Sequence, residues 1–422
     1  MSRLASLLIT LWLMAVVTLT SFSPTFFVSA KTDERRVEFI SPTGSYAVGR
    51  STFRWIDQTR AEAMTSEPDD HRELVAYLWY PAAPTTQERA AYIPDLSILK
   101  KVIRGPEAGA WQKVQTHSFS DAPLSSSQPK YPVLILSPGN DMNSTLYSFL
   151  IEELVSHGYV VVGLDHPYDS RAVVLSTGKV VGLAQDKWPP LPKQQLVPNQ
   201  ESDYSRFYHE RVKTRAQDAS FALSQLEKLN LDQGSRLRGH LDLERVGFLG
   251  HSVGGVAAGK VCQLDQRFKA CLNLDGITSG GPFYLDEHGR GFDQPYLLLT
   301  KPFRLSSEKL AELKLSREEW EANRERHEGQ YFRAVKAGSY KVAIEGATHQ
   351  SFSDDALLLA TLLKPQELAA HKRRAQIIRE YTRAFFDKYL KGTSVSLLDV
   401  ASPQYPEVQV EVWRPEGKSS SR

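Results

Sequence analysis

A series of unbroken apolar runs, each about as long as one β-strand, constrains this chain more than any other feature. They are "YPVLILSPG" (Tyr131–Gly139), "GYVVVGLDHP" (Gly158–Pro167), "RVGFLGHS" (Arg245–Ser252), "ACLNLDG" (Ala270–Gly276), "PYLLLTKP" (Pro295–Pro302) and "YKVAIEGATH" (Tyr340–His349). A strand with one wet face alternates apolar and polar residues. Runs without alternation suit strands covered on both faces, as in a parallel sheet. Covering material lies between them. "STLYSFLIEELVSHG" is amphipathic and ends on glycine, and "YSRFYHERVKTRAQDASFALSQLEKLN" and "PQELAAHKRRAQIIREYTRAFFDKYLKG" are longer helical segments. The alternation predicts a doubly wound α/β domain, its right-handed crossovers placing helices on both faces. Nearer the start, "RVEFI", "STFRWI" and "RELVAYLWYPA" predict antiparallel strands opening the sheet.

The pattern predicts one domain over residues 31–422, with insertions near 173–205 and 303–337. The first insertion holds the proline-rich "DKWPPLPKQQLVPNQ" (Asp186–Gln200), which reads as an irregular loop. The second is charged and helical, and its Ser316-Arg317-Glu318-Glu319 reads as a capping box. Both are expected at one end of the sheet, where a lid or pocket wall and a passive surface elaboration fit equally well. The tail "SSSR" is expected to be disordered. With 422 residues, 41% of them hydrophobic, the chain can build a large core. A net charge of +2 offers no polycationic surface, so a nucleic-acid partner is not expected. The Lys372-Arg373-Arg374 cluster reads as a solvated helix face.

The N-terminus has the layout of a secretory signal. Arg3 precedes an apolar run, Leu4–Thr20, and Val28-Ser29-Ala30 offers small residues at −3 and −1. Cleavage near Ala30 and a secreted or periplasmic location are expected; the alternative is a retained anchor, since the run approaches spanning length. Apolar "PTFFVSA" and Trp188 suggest peripheral lipid contact, although an export signal and a buried tryptophan explain them as well. Export permits a disulfide. Cys262 and Cys271 fit a disulfide or two buried small hydrophobes equally well, and they form no zinc site. Asn143-Ser144-Thr145 is a glycosylation sequon that matters only in a eukaryotic secretory pathway.

The stretch "RVGFLGHSVGGVAAGKV" carries two overlapping motifs. Gly254 to Lys260 reads G-x-x-x-x-G-K, most of a phosphate-binding loop. That loop needs Ser or Thr after its lysine, whereas Val261 follows here, and it should begin where the strand ends. Gly250-His251-Ser252-Val253-Gly254 reads G-x-S-x-G, the nucleophile elbow of serine hydrolases. It sits between a convincing strand and a convincing helix, which is the context the elbow requires. Gly250 and Gly254 are expected to leave room for the neighbouring strand and helix.

A serine nucleophile needs a base and an orienting acid, in chain order serine, acid, histidine for this elbow. His349 is the preferred base, standing just past a late strand. His288 lies in a polar turn and His327 in the charged helix. Asp275 is the preferred acid, directly after the strand "ACLNL"; Asp265 and Asp286 lie in polar, exposed-looking segments. The oxyanion hole is expected to combine the N–H of Val253 with that of Asn140 in "ILSPGND".

Together "YPVLILSPGN", "GHSVGG", "NLDG" and "THQSFSD" resemble the platelet-activating factor acetylhydrolase family, in its secreted plasma-type form and its microbial relatives. The resemblance spans roughly Leu74 to Leu390. It implies an α/β-hydrolase fold with Ser252, Asp275 and His349 as triad and Val253 and Asn140 as oxyanion amides. It implies calcium-independent hydrolysis of short or oxidised acyl esters, including phospholipid sn-2 esters, without metal or organic cofactor. The family's oxyanion strand usually ends Ser-His-Gly; here it ends Ser137-Pro138-Gly139. That change keeps the Asn140 amide but alters the pocket, so the ester acted on is open. Microbial relatives often take simple or aromatic esters, or polyesters. A lipase or peptidase would use the same triad, and a non-catalytic binding protein could share the fold.

Overall fold

The computed structural model describes residues 36–103, 107–190, 203–276, 291–312, 314–333, 335–414 and 417–420. Strands β1 (Val37–Glu38), β2 (Ala47–Ala61), β3 (His71–Ala82), β4 (Arg89–Ala91), β5 (Val114–Ser120), β6 (Tyr131–Ser137) and β7 (Val160–Asp165) come first. A small hairpin, β8 (Ala172–Val174) and β9 (Val180–Gly182), follows. Then come β10 (Leu241–His251), β11 (Phe268–Leu274), β12 (Tyr296–Thr300), β13 (Ser339–Ile344), β14 (Val408–Arg414) and β15 (Gly417–Ser420). The main helices are α1 (Ser148–Ser156), α2 (Asp203–Leu231), α3 (Val253–Leu264), α4 (Arg317–Arg333) and α5 (Leu368–Leu390).

The large sheet runs β1-β5-β2-β3-β7-β6-β10-β11-β12-β13-β14-β15, with β4 beside β5. From β7 to β13 every neighbouring pair is parallel. Antiparallel pairs flank this block, β2 with β3 and β3 with β7 on one side, β13 with β14 and β15 on the other. The apolar runs are the parallel strands, and their composition follows from burial on both faces. In β6, Leu134 and Leu136 point into one core with α1 and α5, whereas Val133 and Ile135 point into the other with α2 and α3. Period-two geometry thus divides one apolar run between two cores.

Two expectations need correction, and the antiparallel reading of β2 and β3 holds with a difference in burial between them. "RVEFI" forms only the short β1, which pairs in parallel with β5. β3 is buried almost throughout because helices cover it, whereas its partner β2 shows the expected alternation. Ser419 and Ser420 of the tail are paired to β14 rather than disordered. In the second insertion the capping box forms as expected: Ser316 N–H donates to Glu319 at 2.8 Å, and Glu319 N–H to the Ser316 hydroxyl at 3.1 Å. This insertion packs a small core of its own around Leu310 and Trp320. Residues 191–200 of the proline-rich stretch lie outside the described residues, as do residues 1–35, which hold the expected export signal. Trp188, half-buried, packs on Tyr204 and Phe207. No described helix is long and apolar enough to cross a membrane.

Candidate active site

Ser252 links β10 to α3 with φ 55° and ψ −118°. A side chain rarely adopts this backbone, and the surroundings impose it. Ser252 N–H donates to the Leu274 carbonyl at 2.9 Å, and its carbonyl accepts from Val256 at 2.9 Å. Close approach explains the flanking glycines. A Cβ on Gly250 would stand 2.1 Å from the Gly254 carbonyl oxygen, and one on Gly254 2.2 Å from that of Ser137. The G-x-x-x-x-G-K segment lies inside α3, and from Val256 onward its amides serve helical bonds, so the phosphate-loop reading fails.

Asp275 follows β11, and His349 opens a turn after β13. His349 Nδ1 and Asp275 Oδ2 are 2.7 Å apart. The other Asp275 oxygen accepts from the Thr300 hydroxyl at 2.5 Å and from Lys301 N–H at 3.3 Å; Lys301 Nζ lies 3.5 Å from Oδ2. Burial raises the cost of charge on Asp275. The His349 hydrogen bond and charge, Lys301 and Thr300 outweigh it and hold the carboxyl well below its usual range. The end of β12 supplies two partners for Asp275, Thr300 and Lys301, that sequence reading missed.

The His349 turn is held from several sides. Thr348 N–H donates to the Ser351 hydroxyl at 3.0 Å. His349's carbonyl lies 3.1 Å from Nε2 of His251, the residue before the elbow serine, and the two imidazole rings are 4.5 Å apart. Asp354 accepts from the backbone of Ser148 and Phe149 at 2.8 and 3.0 Å, tying this segment to the start of α1. Burial pushes the Asp354 carboxyl up to about 7 against these donors. Among the described residues, the Ser252 hydroxyl and His349 Nε2 make no hydrogen bond.

The loop after β6 lies against the elbow; a Cβ on Gly139 would come 3.4 Å from that of Ser252. Gly139 N–H donates to the Tyr147 hydroxyl at 2.9 Å, and Asp141 N–H to the Asp169 carbonyl at 2.8 Å. The Asn140 N–H between them has no acceptor among the described residues. Neither has Val253 N–H, which stands at the first position of α3, where helical amides have no intrahelical partner. Two free amides therefore flank the serine.

A buried polar network backs this loop. Arg215 of α2, fully buried, donates to the Pro138 carbonyl at 2.7 Å. Ser137 Oγ is 2.9 Å from His166 Nε2, and His166 Nδ1 is 2.8 Å from Asp218. Burial and the nearby Arg215 push the His166 ring down to about 4. Pro138 thus has its carbonyl in a fixed bond. His166 and Arg215 were not singled out from sequence; the only hint was a His-Pro pair at a strand end.

Of the other candidates, Asp265 is partly buried and bound to Arg267 at 2.6 Å. His327 lies in α4, and Asp286 and His288 fall outside the described residues. Cys262 and Cys271 are joined as a disulfide, Cα–Cα 6.4 Å, linking α3 to β11. The sequon asparagine, Asn143, is buried, and its side chain bonds Asp165 and Ala172.

Eight central strands in the order β2-β3-β7-β6-β10-β11-β12-β13, with a strained serine turn after β10, define an α/β-hydrolase fold. A family model described as platelet-activating factor acetylhydrolase, isoform II, matches residues 32–391, and the chain belongs to that family. A platelet-activating factor acetylhydrolase of Canis lupus familiaris is 27% identical over 252 residues, 55% of this chain and 53% of the relative. A probable 1-alkyl-2-acetylglycerophosphocholine esterase of Arthroderma benhamiae is 26% identical over 293 residues, 66% of this chain and 65% of the relative. The chain thus spans about half to two thirds of the length of these curated relatives. Among solved structures, a ferulic acid esterase from Streptomyces cinnamoneus superposes with TM-score 0.65 at 24% identity, covering 88% of this chain and 98% of that one. That likeness is one of fold.

Proposed function

We propose that the protein is an exported carboxylic ester hydrolase acting through a Ser252–His349–Asp275 triad. The observation that carries this reading is the 2.7 Å His349–Asp275 bond beside a strained, unbonded serine. His349 Nε2 takes the Ser252 proton as Oγ attacks the ester carbonyl, then returns it to the leaving alcohol. Asp275 holds the imidazole with hydrogen on Nδ1 and offsets its charge in the tetrahedral state. The N–H groups of Val253 and Asn140 receive the oxyanion. Water activated by His349 then releases the acid. No step requires a metal or organic cofactor.

Short acyl esters are the proposed substrates, with phospholipid sn-2 acetyl or oxidised acyl groups as the natural class. Family membership and the activities for which the relatives are named support this choice. The N-terminal pattern and the disulfide between α3 and β11 support export. The test is a p-nitrophenyl ester series from acetate to palmitate, on the mature protein and on Ser252→Ala. Activity should peak at short chains, persist in chelator and fall at least about a thousandfold in the variant. Equal inertness of both proteins would overturn the reading.

A further inference from the structure

The site places a second histidine, His251, where the triad has no use for it. Its ring is 1% exposed and sits between two loops that carry reacting groups. On one side Tyr147 Oη lies 2.8 Å from His251 Nδ1, and the same hydroxyl accepts the Gly139 N–H at 2.9 Å. On the other side His251 Nε2 lies 3.1 Å from the His349 carbonyl oxygen.

The bond directions select one protonation state. A carbonyl only accepts, so Nε2 must carry hydrogen. Burial holds the ring well below the usual histidine range, with His349 and Lys301 adding to the effect and Asp275 opposing it. The ring is therefore neutral and Nδ1 is bare. Burial also raises Tyr147, so its hydroxyl keeps its proton; the Met142 sulfur lies 3.2 Å away, but the bare Nδ1 at 2.8 Å is the stronger acceptor and takes it. The opposite tautomer would set two lone pairs against each other at the His349 carbonyl.

Resting on the hydrolase reading, we infer that His251 is a positioning residue that joins the oxyanion loop, through Tyr147, to the turn bearing His349. The path is continuous: Gly139 N–H to Tyr147, Tyr147 to His251, His251 to the His349 carbonyl. It sets how far the base stands from the amide that receives the oxyanion. A neutral ring 4.5 Å from His349 also leaves that histidine free to become imidazolium during the reaction. An ordinary core histidine would need its two bonds, but not partners on these two loops.

Three variants and one spectrum test it. His251→Leu keeps the volume and removes both bonds, and Tyr147→Phe removes one hydroxyl. Each should lower kcat about 10- to 100-fold, with KM within about threefold, as misplacement of catalytic groups does. His251→Gln supplies an acceptor and a donor on one side chain and should restore most of the lost kcat. If Gln and Leu are equally impaired, or Leu is unimpaired, the inference falls. The spectrum is read on the resting protein, with nitrogen-15 histidine and the His251→Gln variant for assignment. It should show a neutral Nε2–H ring that does not titrate between about pH 5.5 and 8. A titrating ring, or hydrogen on Nδ1, overturns the inference whatever the kinetics. If Ser252→Ala retains activity, the hydrolase mechanism fails, while the spectrum still decides the His251 bridge.

Discussion

Gly254→Ala puts the elbow geometry to a quantitative test. The added methyl would sit 2.2 Å from the Ser137 carbonyl oxygen and 2.6 Å from that of Pro138. Both are backbone atoms, and the Pro138 oxygen is already held by Arg215 at 2.7 Å. No flexible side chain can yield, so α3 and β6 must part by roughly 1 Å in a packed interior. That movement carries Val253 N–H away from Asn140 N–H. A displacement of this size costs about a hundredfold in rate, or about 2.7 kcal/mol of transition-state stabilisation. Overpacking also costs about 1–3 kcal/mol of stability. The assay is kcat and KM on p-nitrophenyl acetate together with urea unfolding. Gly109→Ala is the control, because a Cβ there meets nothing within 4 Å. If Gly254→Ala matches wild type in both kcat and unfolding midpoint, the elbow does not depend on this close approach and the reasoning is refuted.

Asp275→Asn should leave the fold intact yet reduce kcat by about 10⁴, because the amide selects the wrong His349 tautomer; a loss under about tenfold would remove Asp275 from the triad. Replacing Cys262 and Cys271 together by serine or alanine should lower stability by about 2–3 kcal/mol, the loop-closure value for so short a loop. Urea unfolding would show it, and an unchanged midpoint would contradict it. His166 titrates near 6.5 when unfolded and is pushed down to about 4 in the fold. Its contribution is therefore fully present above about pH 6.5 and lost as pH falls toward 4, up to about 3 kcal/mol in all. Unfolding midpoints from pH 7 to 4 should fall more steeply for wild type than for His166→Gln; parallel curves would show that His166 is not the group responsible.

Much of this protein is legible in its sequence because the decisive signals are local. Unbroken apolar runs mark strands covered on both faces, and alternation along β6 assigns alternate residues to separate cores. Glycines on either side of Ser252 mark a turn where backbones nearly touch. A histidine and an aspartate at strand ends in the right order mark the candidate base and acid. The tertiary structure decided what depends on distant segments meeting. Thr300 and Lys301 matter because β12 pairs with β11 and lays their polar groups on Asp275. Arg215 lies in α2, far along the chain from Pro138, and no local pattern distinguishes it from its helical neighbours. The two cysteines fit bonded or free states equally until α3 folded back along β11. The short pairing of β1 and the late strand β15 depend on which edges remain open, which is a property of the finished sheet. His251 was visible as a motif letter, but only the fold gave it Tyr147 on one side and His349 on the other. Sequence periodicity reports which face of an element is apolar, whereas hydrogen bonds between elements require three-dimensional coincidence that no local pattern encodes.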